Sequence, residues 1–259
     1  MEPPAWLARG GQVNGSGMSA PEVEVLLPVY NEGQSIEATI REICDELSLR
    51  LNVGLIICED GSRDNTKAVL TRLAKELPLR LNLAGERRGY SQAVCDGMHM
   101  LQADYLLCLD SDGQYDAKDF WKFWDARNAC DVVLGWRVNR ADTLVRRACS
   151  RLFYLIYQLV LHVPVHDPSC PYVLIPRQVV FRLVDHMGAT QQGFWWEFTA
   201  RVHRCGYRIT ELPVNHRRRT SGATRVYRWT KMPAIFFRHV GALFRIRAET
   251  PKLGSGPDS

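Results

Sequence analysis

The chain has 259 residues, 46% hydrophobic and 24% charged, the composition of an ordinary globular protein and not of a collagen-like, low-complexity or disordered one. Its net charge of +5 hides an asymmetry: residues 201–247 hold 12 Lys/Arg against one acid, Glu211, which leaves 21 basic and 27 acidic residues elsewhere. A basic C-terminal third implies an anionic partner, whether phosphate, nucleic acid or a membrane surface, while no apolar run approaches the roughly 18 residues of a membrane-spanning helix.

Residues 1–21 are rich in Gly, Pro and Ser and read as a disordered leader, not a signal peptide. The eight cysteines are scattered, and no Cys-x-x-Cys occurs. Cys58, Cys108 and Cys149 sit in apolar runs, where a thiol behaves as a small hydrophobe. Free thiols and a reducing compartment follow.

Val23 to Val29 is a short apolar strand closed by Pro28-Val29-Tyr30-Asn31-Glu32-Gly33, and a helical pattern runs from Ile36 to about Leu47. A second strand, Val53 to Cys58, is closed by Glu59-Asp60-Gly61-Ser62. Asp64 then reads as the N-cap of a helix through Ala68, Leu70 and Leu73. Leu79 to Leu83 is a third strand. Arg87-Arg88-Gly89-Tyr90-Ser91 leads into a helix to Leu101, and Tyr105 to Leu109 is a fourth strand. Strands alternating with helices in this way predict a parallel α/β sheet. Further on, Asp131 to Gly135 and a segment ending at Ile175 read as strands, as does Tyr207 to Val214. Leu144 to Leu161 and a segment opening at Phe194 read as helices. The first of these helices fits either a core position or a place against lipid headgroups. His216 to Thr224 reads as a mobile basic loop. Val226 to Arg247 reads as a basic helix carrying Trp229, Phe236, Phe237 and Phe244.

The polarity of the chain reverses abruptly at Leu106-Leu-Cys-Leu-Asp110-Ser-Asp112-Gly-Gln114. In an extended or turning backbone alternate residues point the same way, so Asp110, Asp112 and Gln114 can converge on one point. Three hard oxygen donors suit Mg²⁺ or Mn²⁺ and leave coordination places for phosphate oxygens. The same residues also suit a polar turn. An EF-hand is excluded, because Tyr115 and Trp121 stand where Gly and Glu are required. Ligands bind at the carboxyl ends of parallel strands. Tyr30 and Glu32, Glu59 and Asp60, and Asp110 and Asp112 all fall at such ends. Acids gathered on one rim repel unless a cation or hydrogen-bond donors lie between them.

These segments, in this order, resemble the family 2 inverting glycosyltransferases of GT-A fold, most of all the dolichyl- or polyprenyl-phosphate mannose synthase group. The resemblance covers about Val23 to Thr224. Pro28-Val29-Tyr30-Asn31-Glu32 resembles the family's opening Pro-x-Tyr-Asn-Glu. Glu59-Asp60-Gly61-Ser62-Arg63-Asp64-Asn65-Thr66 resembles its nucleoside-holding Asp-Asp-Gly-Ser segment, with Glu59 in place of the usual Asp. Arg88-Gly89 is similar to a loop in the family, and Asp110-Ser111-Asp112-Gly113-Gln114 to its Asp-x-Asp-x-Gln metal site. Gly135-Trp136-Arg137 is similar to its phosphate-binding Gly-Ser-Arg. Arg219-x-x-Gly222-x-Thr224 resembles the loop that closes over the diphosphate.

The resemblance implies an α/β, Rossmann-like GT-A sheet, mostly parallel and flanked by helices, over residues 22–225. A basic amphipathic helix at 226–247 and a disordered tail at 248–259 complete the expectation. It implies a nucleotide-diphosphate sugar donor (GDP-mannose or a UDP-sugar), Mg²⁺ or Mn²⁺ on Asp110, Asp112 and Gln114, and transfer with inversion. Tyr30, Glu32, Glu59 and Asp60 would hold the nucleoside, Pro28, Arg88 and Gly89 would join them in binding the donor, and Arg137 and Arg219 would meet phosphate. The expected acceptor is a polyprenyl phosphate, which as an anion needs no strong base; for a hydroxyl acceptor Glu197 is the first candidate base. A cytoplasmic enzyme, peripheral on an anionic membrane face, is the resulting expectation. Two alternatives stand beside it: a soluble glycosyltransferase acting on a small metabolite, and a non-catalytic nucleic-acid-binding protein using the basic third. The ordered donor-site acids argue against the second, so no nucleic-acid partner is expected.

Overall fold

A computed structural model describes residues 21–138, 144–190, 193–217 and 232–249, with side chains placed from residue 150 in the helix opening at 144 and from 238 in the helix opening at 232. Four successive strand–helix units open the chain: β1 (Val23–Val29), α1 (Ile36–Leu47), β2 (Val53–Glu59), α2 (Thr66–Leu73), β3 (Leu79–Leu83), α3 (Tyr90–His99), β4 (Tyr105–Cys108) and α4 (Phe120–Ala126). There follow β5 (Val132–Arg137), α5 (Leu144–Leu161), β6 (Val173–Pro176), α6 (Arg177–Leu183), α7 (Phe194–Arg204), β7 (Ile209–Val214) and α8 (Met232–Glu249).

All seven residues of β1 are buried, as a strand covered on both faces requires. Even Glu24 is inside, its carboxylate accepting the Gln102 and Ala103 backbone N–H groups and an Arg80 guanidinium N–H. Helix α1 buries Ile36, Ile40, Ile43, Cys44 and Leu47, the three-to-four-residue spacing of a helix with one apolar face. The seven described cysteines are free. Burial pushes the thiols of Cys44, Cys58 and Cys170 up to about 12, so they stay protonated and inert at neutral pH.

The sheet order is β3-β2-β1-β4-β6-β5-β7. β1 pairs parallel with β2 and β4, β2 with β3, and β5 with β7. β6 runs antiparallel to both β4 and β5. The alternating pattern predicted parallel strands, and it holds for six of the seven. β6 ends beside the start of β4, with Pro176, the N-cap of α6, opposite Tyr105.

The last helix differs from expectation at its far end. It is described from Met232, residues 226–231 lying outside the described residues, and it continues to Glu249, into the stretch expected as a tail. It is docked, not free: Leu243 and Ile246 are fully buried, and Glu249 pairs with Arg201 of α7 at 2.9 Å. The Arg247 guanidinium donates to the Val160 carbonyl of α5. The leader residues 1–20 lie outside the described residues. Among the described residues no helix is long and apolar enough to cross a membrane.

Candidate functional site

Because β1, β2 and β4 are parallel and in register, with Val29 beside Glu59 and Leu26 beside Cys108, their carboxyl ends open on one edge of the sheet. A cleft of about 240 Å³ lies there. Of the residues singled out in the sequence, Pro28, Tyr30, Glu32, Asp60, Asp110 and Asp112 line it. Glu59, Arg88, Gly89, Gln114, Arg137 and Glu197 do not.

The turn after β4 explains how two carboxylates reach the rim together. Ser111 points inward: its hydroxyl donates to the Pro28 carbonyl at 2.9 Å, and its own carbonyl accepts from Thr39 Oγ1. With alternate residues facing alternate ways, Asp110 and Asp112 turn outward on either side, both half-buried. Gln114 goes elsewhere. Its backbone N–H caps Asp112 Oδ1 at 3.2 Å, and its side-chain amide donates to the Arg217 carbonyl at 2.9 Å. Gln114 therefore ties the turn to the segment after β7.

Asp60 is a loop anchor as well as a lining residue. Buried at the end of β2, it accepts the backbone N–H groups of Arg88 and Gly89 at 2.6 and 2.9 Å. The neighbouring Gly61 has φ +68°, and a Cβ there would stand 2.4 Å from the Glu86 carbonyl carbon. Only glycine lets the two loops approach so closely. That contact places Arg87, not Arg88, in the cleft: the Arg87 guanidinium lies 4.1 Å from the Tyr30 ring centroid and 3.6 Å from Asp60. Arg88 pairs with Asp96 instead. Glu59 turns away, accepting the Ser62 N–H and lying 3.5 Å from Lys67. Asp64 caps the Thr66 N–H at 3.0 Å, although α2 starts one residue later than a cap at Asp64 implies. Burial pulls the Asp64 carboxyl upward, but hydrogen bonds from Thr66 and Gly33 outweigh that and hold it below the usual carboxylate value.

Tyr90, the first residue of α3, also lines the cleft. Its hydroxyl lies 3.0 Å from Asp110 Oδ1 and 2.7 Å from the indole nitrogen of Trp195 on α7. Tyr90 is 37% exposed as a whole residue, its hydroxyl end lying between Asp110 and Trp195; burial of that end, and then the Asp110 charge, push the phenol above its ordinary pKa. The sequence reading missed Arg87, Tyr90 and Ser111. For Ser111 the alternation flanking it was an available signal; for the other two, only their nearness to Gly89 was.

Arg137 and Glu197 occupy other surroundings. Arg137 donates to Asp167 through Nε at 2.7 Å and Nη2 at 2.9 Å, and to Ser169 Oγ at 2.7 Å. Burial alone would pull its pKa down; the Asp167 hydrogen bonds overcome that and hold it above the ordinary value. Meeting a phosphate would require Arg137 to exchange this partner. Glu197 has no exposed surface. Its carboxylate accepts the Gly188, Ala189 and Thr190 backbone N–H groups, the Thr190 hydroxyl, and the Arg201 guanidinium at 3.0 Å. A carboxylate so engaged meets no solvent through which a hydroxyl acceptor could hand it a proton. Arg219 lies outside the described residues.

Four carboxylates line the cleft with Arg87 as the cation among the described lining residues. Asp110 and Asp112 offer hard oxygen donors at an open rim. Among the described residues no group of three His, Cys, Asp or Glu side chains could hold a metal. One or two carboxylates, with the remaining places open to water and phosphate oxygens, is the donor set Mg²⁺ takes in phosphate chemistry. The residues present thus fit a divalent cation.

Comparison with known proteins places this architecture. The chain is 31% identical over 154 residues to an undecaprenyl-phosphate 4-deoxy-4-formamido-L-arabinose transferase of Pseudomonas syringae pv. syringae (strain B728a), covering 57% of this chain and 45% of that protein. It is 28% identical over 208 residues to the Salmonella choleraesuis (strain SC-B67) transferase of the same name, covering 78% of this chain and 61% of that one. The matched stretch thus spans about half the length of these relatives. Among solved structures, glucosyl-3-phosphoglycerate synthase from Mycobacterium tuberculosis in complex with Mn²⁺ and UDP-glucose superposes with a TM-score of 0.67 at 17% identity. The superposition covers 88% of this chain and 79% of that one, and shows a shared fold. The same synthase with Mg²⁺ and UDP gives a TM-score of 0.66. The model of glycosyl transferase family 2 matches residues 24–183, the span from β1 to α6 that builds the cleft, and the chain belongs to that family.

Proposed function

We propose that this protein transfers a sugar, with inversion, from a nucleotide-diphosphate donor to a polyprenyl phosphate. The observation that carries the reading is the Asp110 and Asp112 pair on the rim of a cleft whose described lining holds four acids and one arginine. Tyr30 and Arg87 form a flat cationic platform for the nucleobase, and Asp60 holds that platform by anchoring the Arg88 and Gly89 amides. Asp110 and Asp112 would hold Mg²⁺ or Mn²⁺ beside the diphosphate. When bound, the cation neutralises the leaving group's growing charge. An acceptor phosphate oxygen attacks the anomeric carbon from the face opposite the leaving diphosphate; that bond forms as the bond to the donor's β-phosphate breaks, and the nucleoside diphosphate leaves.

The acceptor half draws on two observations. The transferases of similar sequence carry undecaprenyl phosphate in their names. And Glu197 is sealed inside, which suits an acceptor that arrives already ionised and has no proton to lose. An amphiphilic lipid also fits the surface of α5 and α8. Leu152, Leu155 and Leu159 form one exposed stripe on α5, and Phe244 is exposed on α8. Arg151, Arg238 and Arg245 are exposed on the same two helices. Apolar residues edged by arginines suit the cytoplasmic face of an anionic bilayer, where each basic residue contributes about 1 kcal/mol.

The test offers undecaprenyl phosphate, undecaprenol and a water-soluble acceptor, 3-phosphoglycerate, each with Mn²⁺ and a panel of GDP- and UDP-sugars. Product from the lipid phosphate alone is the expected result. Equal turnover of the alcohol, or turnover of the soluble acceptor only, overturns the lipid-phosphate reading and leaves the donor half standing.

A further inference from the structure

The Asp110 carboxylate is one link of a hydrogen-bonded chain that crosses three elements. Trp195 Nε1 lies 2.7 Å from the Tyr90 hydroxyl oxygen, and that oxygen lies 3.0 Å from Asp110 Oδ1. The direction of both bonds follows from proton inventory. An indole nitrogen can only donate, so Tyr90 must accept from Trp195; its single proton is then left for Asp110. The Trp195 end is rigid. It is 5% exposed, and its ring meets Phe194 and Phe198 edge-on at 5.0 and 5.6 Å. The first turn of α7 is held in turn by Glu197, which gathers the 188–190 amides and Arg201. The Tyr90 end is fixed by the opening of α3, whose preceding Gly89 is anchored on Asp60.

We propose that Tyr90 and Trp195 are positioning residues that set the orientation of the Asp110 carboxylate for its cation, so that α7 is coupled to the metal site. The inference rests on the reading of Asp110 as a cation ligand and deepens it. The role assigned to both is to orient Asp110, not to ligate the cation. Tyr90 holds one oxygen of Asp110, and Trp195 orients the proton with which Tyr90 does so. Outer partners of this kind orient metal ligands, and losing one costs about 10- to 100-fold in metal affinity.

The test measures Mn²⁺ uptake directly, from the electron-spin-resonance signal of the free ion, with and without UDP. It compares the unaltered chain with Tyr90→Phe, Trp195→Phe, the double variant and Asp110→Asn. Tyr90→Phe keeps the ring and removes the proton donor; it is expected to weaken Mn²⁺ binding about tenfold. Trp195→Phe is expected to weaken it severalfold. Because Trp195 acts only through the Tyr90 oxygen, the double variant should match Tyr90→Phe alone. A merely structural tryptophan would lower the melting temperature without this non-additive pattern in affinity. Unchanged Mn²⁺ affinity in Tyr90→Phe while Asp110→Asn loses the ion overturns the positioning inference and keeps the metal reading. Additive losses in the double variant overturn the role of Trp195 acting through Tyr90. No uptake by the unaltered chain in either condition removes the metal reading, and the inference with it.

Discussion

At the ends of β1, β2 and β4, Glu32, Asp60, Asp110 and Asp112 border one cleft with Arg87 as their described cation. Around β5 and α7 the same residue types are matched among themselves. Arg137 is spent on Asp167, and Arg201 lies between Glu197 and Glu249. Among the described residues the first arrangement gathers four acids against one arginine at an opening, a setting that favours a cation. The second leaves little charge over. It fixes the 166–169 segment, the 188–190 turn and the last helix in place, and each such pair is costly to break by halves. An acid at a strand end or helix start is therefore not a functional residue by type or position alone; what decides is whether the fold sets it at an opening or seals it among matched charges.

The comparison breaks most sharply at Asp112. It is half-buried, and its side chain's described bond is to the Gln114 N–H, so Asp112→Asn should leave the melting temperature close to that of the parent. Turnover should fall about a thousandfold, the ~4 kcal/mol that charge stabilisation by a cation can supply. Initial rates beside a thermal melt check both halves. Normal activity in Asp112→Asn, or full turnover in EDTA, would place the rim acids in the same structural class as Glu197.

Glu197→Gln should show the reverse. The amide cannot match the Arg201 charge, and its NH₂ group is turned toward other donors. With Glu249 still in contact, the loss should sit at the low end for a broken buried pair, about 3 kcal/mol, or a melting point ~6–12 °C lower. Below that transition, and with Mn²⁺ saturating so that any loosening of Trp195 is offset, the chemical step on a lipid phosphate should proceed at close to the parent rate. A large fall in kcat with no change in stability would make Glu197 a chemical participant and erase the distinction between the halves.

The smallest expected effect lies on the outer face of α5. Leu159, 75% exposed, contributes little to the fold. Leu159→Glu should leave folding unchanged while weakening flotation with anionic vesicles about tenfold, since a buried leucine is worth roughly 1.5–3 kcal/mol and the added carboxylate is repelled. Equal flotation of both proteins would detach this face from the membrane reading and leave the cleft untouched.

Several elements were legible before any coordinates. Val23–Val29, Ile36–Leu47, Leu79–Leu83 and Leu144–Leu161 form as their apolar runs and spacings indicate, because those patterns report the chain's own periodicity. The rim positions of Tyr30, Asp60, Asp110 and Asp112 follow from parallel strands ending in polar residues. The seven-residue helices Phe120–Ala126 and Arg177–Leu183 are about two turns long, too short for a helical period to stand out. Contact between distant segments decided the rest. β6 entered between β4 and β5 antiparallel to both, and the close approach at Gly61 put Arg87 rather than Arg88 in the cleft. Helix packing delivered Arg201 to Glu197 and laid α8 against α5 and α7. The bond from Trp195 to Tyr90 joins residues 105 apart in sequence. No local pattern encodes such a pairing: the partner a charged or polar group finds depends on which donor the folded chain brings within about 3 Å of it.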